Sequence, residues 1–363
     1  MSGSNGLGRF CGPVAAGLVL LGFWVVMLSS LRDKSLTADE PGHVAAGYSY
    51  WRFNDYRMNP ENGNLPQRWM ALPLLFGGHS LPPLDSEAWR GSDAANLSDQ
   101  LFYHPGNDLP GMLSRGRAMS GLLAVVLGAI VWWWSRRLFG PAGGMLSLLL
   151  FVLDPTVLAN GALMTSDTAS ALFLVASLLG IWTVLHRITP GRVLLSALIM
   201  GGLFVSKMSA FLIVPVAVAL GMIRLFAGPP PSVEFRGGRK LATPGSRAAA
   251  FAAVAAVHVA VVAIVIWGSY GFRYRAFADG APAGAAFQVP WAGVLGSPPA
   301  SGQADGRPAA ARVFESLRTH RILPEAYLYG AAYVWKFSRF RSGFLNGQVA
   351  SRARGRSFRT LFW

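Results

Sequence analysis

The chain is short of charge and almost empty of cysteine. Only 13% of its 363 residues are charged, about half the share carried by soluble domains. With 52% hydrophobic residues, a single water-surrounded core is excluded, and several segments belong in lipid. Cys11 is the only cysteine, which rules out an intrachain disulfide and any CxxC metal or redox pair. Acidic residues are few, 17 against 32 Lys and Arg, leaving a net charge of +15. No P-loop, GxSxG or GxGxxG motif occurs, so the common phosphate-cradling and nucleophile-elbow motifs are absent.

What the chain has in quantity is long apolar runs, with a mean hydropathy of +0.39. Spans are expected near 13–31, 118–135, 143–159, 168–185, 193–206, 210–226 and 248–272, with a weaker one near 323–345. The first run is too long for a signal-peptide core and reads as an uncleaved helix. The basic excess falls in short loops between these runs and in the last dozen residues. That is the positive-inside bias of a multi-pass protein, and nucleic acid is not an expected partner. Arg136, Arg137, Arg187, Arg192 and the Pro/Gly-rich linker 227–247 mark the cytoplasmic side. The amino terminus is then inside, and the polar segment 32–116 is an external loop carrying interfacial helices. Asp167 and Lys207 fall on that same outer side.

The outer segment opens with "TADEPGH". Thr37 suits an N-cap, Glu40 a capping box and Pro41 a first helical turn. Asp39 and His43, four apart, share a face. Glu40 reads as a cap and Asp39 either complements the helix dipole or belongs to a site. "DEPGH" lacks the first His of a zinc-binding helix, so one Asp and one His make a poor metal site, and no metal ligands are assigned. Asp167 in "MTSDTASALF" fits an N-cap or a site. Lys207 in "FVSKMSAF" either reaches for headgroups or binds an anion. His258, inside a span, fits a hydrogen-bonded core residue.

Taken together, "ADEPGHVAAGYSYWRFNDYRMNPENGNLPQRWMALPLL", "LDPTVLANGALMTSDTASALF" and "GLFVSKMSAFLIVPV" resemble the ordered motifs of GT-C class membrane glycosyltransferases of the family 39-like group. That group includes the protein O-mannosyltransferases and the aminoarabinose transferases of lipid A. "WGSYGFRY" and "PEAYLYGAAYVWKFSRFRSGFLNG" resemble later landmarks, so the likeness covers about residues 13 to 346. Two stretches depart from the pattern. "NGNLPQ" stands where relatives often carry Pro-Pro-Leu, and "QVASRARGRSFRTLFW" replaces further spans, so 347–363 reads as an atypical basic tail of a truncated chain.

The resemblance implies an all-α GT-C bundle in the cytoplasmic membrane with an outward-facing site. It implies sugar transfer from a polyprenyl-phosphate carrier to an acceptor hydroxyl or phosphate on a lipid, glycan or protein. By the same likeness Asp39 and Asp167 are the catalytic candidates, with Glu40, His43, Asp55, Arg57, Glu61 and Lys207 toward substrate. Divalent-metal use varies within the class. The rival readings are a multi-pass transporter, whose rare charges would sit near the bilayer midplane rather than at span ends, and an inactive truncated relative.

Overall fold

The computed structural model describes residues 6–227, 231–233, 239–240, 243–297, 305–338, 343–345 and 348–350. It is a helical, multi-pass architecture of the expected class. Five helical segments among the described residues are long and apolar enough to cross a membrane: Gly12–Leu31, Leu109–Val152, Asp167–His186, Met208–Phe226 and Pro244–Ser269. They belong to α1 (Gly6–Leu31), α6 (Leu109–Val152), α8 (Asp167–His186), α10 (Ile213–Phe226) with its preceding 3-10 turn, and α11 (Pro244–Ser269).

The separate spans expected at 118–135 and 143–159 both begin within α6, whose 44 residues would run about 66 Å if straight, twice the hydrocarbon thickness. The element does not run straight. Gly140 takes φ 77°, ψ −176°, a conformation open to glycine at no steric cost. Pro141 then starts the returning segment without needing an N–H partner. The two limbs fold onto each other, with Ser135 Oγ 2.7 Å from Ser147 Oγ and 3.2 Å from the Gly143 carbonyl. The returning limb ends at Val152, not 159. Asp154 accepts from Val157 N at 2.8 Å and caps a separate short helix, α7 (Pro155–Asn160).

α1 packs antiparallel to the first limb of α6. Trp24 Nε1 donates to the Ala118 carbonyl at 3.2 Å, and Gly128 faces Leu20 and Phe151. α9 (Pro190–Phe204) packs between α8 and α11. It has 15 residues and stops short of the 206 expected, because the chain leaves the helix at Val205 to shape the site. α14 (Glu325–Phe337), in place of the expected span 323–345, has 13 residues, too few for 30 Å of hydrocarbon. Its Ala326–Ala332 stretch is buried against protein instead.

The polar segment ends at Asp108, which caps α6 through Gly111 N at 3.0 Å. It folds into α2 (Glu40–Phe53), α3 (Asn64–Ala71), α4 (Glu87–Arg90) and α5 (Ala94–Phe102). These pack with α12 (Trp291–Leu295), α13 (Ala309–Thr319) and α14 on the ends of the spans. A shared core joins Tyr50, Tyr56 and Met58 to Phe204, Tyr270 and Tyr327. At the other ends of the spans, β1 (Arg187–Ile188) pairs parallel with β2 (Ser232–Val233), and β2 antiparallel with β3 (Arg239–Lys240). β4 (Gly343–Leu345) and β5 (Gln348–Ala350) pair antiparallel. Most of the tail, 351–363, lies outside the described residues.

Candidate active site

α2 begins two residues later than the sequence suggests. Its N-cap is Asp39, not Thr37, and the Asp39 side chain makes no capping hydrogen bond. The carboxylate is therefore left exposed at the helix start rather than spent on the backbone. Glu40 does the local capping work in part, accepting from Thr37 N at 2.9 Å.

Asp39 opens onto a polar cavity of about 590 Å³ that is also lined by His43, Asn59, Glu61, Asn62, Ser98, Asp99, Thr165, Ser166, Asp167, Lys207 and Gln288. Stretches far apart in the chain thus meet here. The start of α8 brings Asp167. The break after α9 brings Lys207. The loop before α3 brings Glu61.

Lys207 is held by its backbone. Leaving α9, Ser206 Oγ returns a hydrogen bond to the Gly202 carbonyl at 2.7 Å, and Lys207 takes an extended conformation, φ −160° and ψ 144°. It then pairs with Asn62 in an isolated antiparallel bridge, and Leu65 N donates to the Val205 carbonyl at 3.0 Å. The two backbones approach so closely that a Cβ at Gly63 would lie 1.9 Å from Ser206 O. The departure "NGNLPQ" thus supplies the one residue type that fits this contact.

The Lys207 ammonium is hydrogen-bonded to Asp167 Oδ1. Their side chains are 36% and 68% exposed, and exposed pairs of this kind contribute about 0.2–1 kcal/mol. An anionic ligand can therefore take the lysine from its partner at small cost. His43 is 4% exposed, and its Nδ1 has no hydrogen-bond partner. Burial pulls its pKa down to about 4, although Asp39 and Asp167 pull the other way. The ring is neutral at physiological pH and offers a hydrogen bond, not a charge. Burial pushes the half-buried Glu61 carboxyl up from its ordinary range. Glu61 also lines a narrow adjoining slot with Phe287, Tyr329 and Tyr333.

The remaining residues expected toward substrate are placed elsewhere. Glu40 is fully buried. It pairs with Arg117 through Nε–Oε1 at 3.0 Å and Nη2–Oε2 at 2.8 Å, and accepts from Met164 N at 3.1 Å. Burial alone would raise its pKa, but Arg117 and the two backbone N–H groups outweigh that and hold it low. Asp55 and Arg57 form a second buried pair, at 2.9 Å and 2.5 Å. Arg57 lies between the rings of Trp89 and Phe277, 4.9 Å and 4.7 Å from their centroids. Neither member lines the main cavity, although Arg57 closes the floor of the slot beside Glu61. The Glu40–Arg117 pair lines neither cavity.

Sequence reasoning did not find Arg117, Asn59, Ser98, Asp99 or Gln288. Arg117 carried one signal, a cation at the start of an apolar run that needs a buried partner. Gln288 carried none. Among the described residues no group of three His, Cys, Asp or Glu side chains is arranged to hold a metal ion.

No curated protein and no solved structure matches the chain. Residues 113–229, about a third of the chain, match the family model described as dolichyl-phosphate-mannose-protein mannosyltransferase, so this stretch is similar to that family.

Proposed function

We propose that the protein transfers a sugar from a polyprenyl-phosphate carrier to an acceptor hydroxyl or phosphate on the outer face of the cytoplasmic membrane. The observation that carries this reading is the convergence of Asp39, Asp167 and Lys207 on one polar cavity at the ends of the spans. In transfer to a hydroxyl, the acceptor oxygen attacks the anomeric carbon and must lose its proton. A carboxylate not already committed to the backbone suits that task, and Asp39 is such a group. The bond between the anomeric carbon and the carrier phosphate oxygen breaks, and the phosphate leaves with the electron pair. Lys207 is the cation placed to meet that growing charge, exchanging Asp167 for the phosphate as it does so. Asp167 then orients the lysine. His43, neutral, hydrogen-bonds a sugar or acceptor hydroxyl. The cavity volume matches a site for one sugar phosphate, and the lipid chain lies outside it along the membrane-facing helices.

The test is transfer of radiolabelled sugar from a polyprenyl-phosphate donor in membranes holding matched amounts of the intact chain and of Lys207→Ala. Transfer by the intact chain that falls at least about 10²-fold in the variant supports the assignment. Equal transfer by both removes Lys207 from the site.

A further inference from the structure

α1 and α7 enclose a groove of about 670 Å³. Its walls are apolar: Val26 and Leu31 on α1, Leu158 and Ala159 on α7, and Leu163 beyond it. α1 is long and apolar enough to span the membrane, and Val26 lies about 8 Å below Leu31 along its axis. Val26 is 51% exposed and Ala159 is exposed too, so the groove opens sideways to lipid. Lys34 and Arg117 also line it, and among the described residues no Asp or Glu does. Arg117 is committed to Glu40. Lys34 is exposed and, among the described residues, in no salt bridge. An apolar trough beneath an exposed cation fits a lipid chain beneath a phosphate head.

This groove and the cavity of Asp39 share a wall. Thr37 lines the groove, and the next two residues, Ala38 and Asp39, line the cavity. Leu163 lines the groove, and Thr165 and Ser166 line the cavity. One buried carboxylate holds the two strips side by side: Glu40 accepts from Thr37 N at 2.9 Å and from Met164 N at 3.1 Å. A head group over Thr37 is therefore two residues of chain, about 7 Å, from Asp39. The stretches that bring Lys207 and Glu61 to the cavity contribute nothing to the groove. An occupant of the groove thus delivers its head to the base, not to the cation that meets the leaving phosphate.

We infer that the groove between α1 and α7 binds the acceptor, and that the acceptor is an anionic membrane lipid bearing a free hydroxyl on its head. Its chain lies along Val26 and Leu158, and Lys34 meets its phosphate. The head hydroxyl crosses the wall at Thr37, Asp39 takes its proton, and its oxygen bonds the anomeric carbon as the carrier phosphate leaves with the electron pair of the broken bond. The word acceptor rests on the transfer reading of the cavity; the lipid groove itself does not.

The binding arm needs no turnover. Native mass spectrometry of the full chain reads retention of phosphatidylglycerol and, separately, of polyprenyl phosphate. Ala159→Trp and Val26→Trp fill the groove from opposite walls at exposed positions, and an unchanged melting temperature checks their folding. Phosphatidylglycerol retention should fall about 10-fold in either variant and about 3-fold in Lys34→Gln. It should stay unchanged in Leu153→Trp, at a 68% exposed position outside the groove. Polyprenyl phosphate should be retained equally by all. In the second arm, radiolabel from the donor should enter a lipid-extractable product distinct from the donor, and less of it in Ala159→Trp. Equal phosphatidylglycerol retention throughout, or loss of polyprenyl phosphate in its place, overturns the inference. Label entering only protein or water-soluble glycan overturns it as well. No transfer by the intact chain, with groove-dependent retention kept, overturns the transfer reading of the cavity and leaves the lipid groove standing.

Discussion

Arg117 reaches back 77 residues to grip both carboxylate oxygens of Glu40. The same guanidinium also donates to the carbonyls of Leu31, Lys34 and Ser35, at 2.9, 2.9 and 2.8 Å. One buried side chain thus ties the end of α1, the connector to α2 and the first residue of α2 together. Asp39 stands directly on this clasp, so its position depends on residues that never touch the cavity.

Removing one partner of the clasp should therefore act on stability first. Arg117→Met leaves Glu40 buried with its charge unmatched, a loss of about 3–5 kcal/mol, read as a fall in melting temperature. Because the folded pKa of Glu40 is depressed below 4.5, its contribution is present above that value. It is lost as pH falls through the lower folded pKa. Glu40→Gln should flatten that acid limb of the stability curve.

His43 should dominate a different window. Its folded pKa lies near 4 against an ordinary 6.5, so between these values the unfolded chain binds the extra proton. Stability then falls as pH drops from 6.5 to 4, by on the order of 3 kcal/mol in all. His43→Gln should remove that slope. A slope kept in the variant assigns the titration to another group.

Gly63 should not tolerate a side chain. Gly63→Ala places a Cβ against Ser206 O, at a cost of about 1–3 kcal/mol, and displaces Lys207 with it. Transfer activity should fall more than protein yield does. Equal activity per folded molecule would detach the bridge from the function.

The orientation is tested by impermeant thiol labelling of intact cells, with Cys11 replaced by serine. Ser80→Cys, on the segment that carries the site, should label, and Ser232→Cys, on β2, should not. The reverse pattern would turn the protein over in the membrane.

Much of this was legible in the sequence, but not all for the same reason. α1 and α8 announce themselves because an apolar run of span length has few other uses. Asp39, Asp167 and Lys207 stood out because an ordered set of charges at span ends is rare in so uncharged a chain. The fold-back at Gly140 leaves a local trace in Gly-Pro, yet the length of the returning limb depends on α7, which Asp154 caps. The Glu40–Arg117 pair was hidden by its separation in sequence. Glu40 looked like an ordinary cap because it is one, and its larger role needed the start of α6 brought alongside. Arg57 showed its charge but not its burial between two rings, one of them over two hundred residues away.

The central claim is that Asp39 is the base, and Asp39→Asn tests it most directly. The substitution keeps the size of the side chain and removes its ability to take a proton. With matched protein levels and an unchanged melting temperature, sugar transfer from a radiolabelled polyprenyl-phosphate donor should fall about 10²- to 10⁴-fold. Glu40→Gln, corrected for the folded fraction, should fall far less. Full turnover by Asp39→Asn, with Glu40→Gln inactive though folded, would contradict the account and move the base to Glu40.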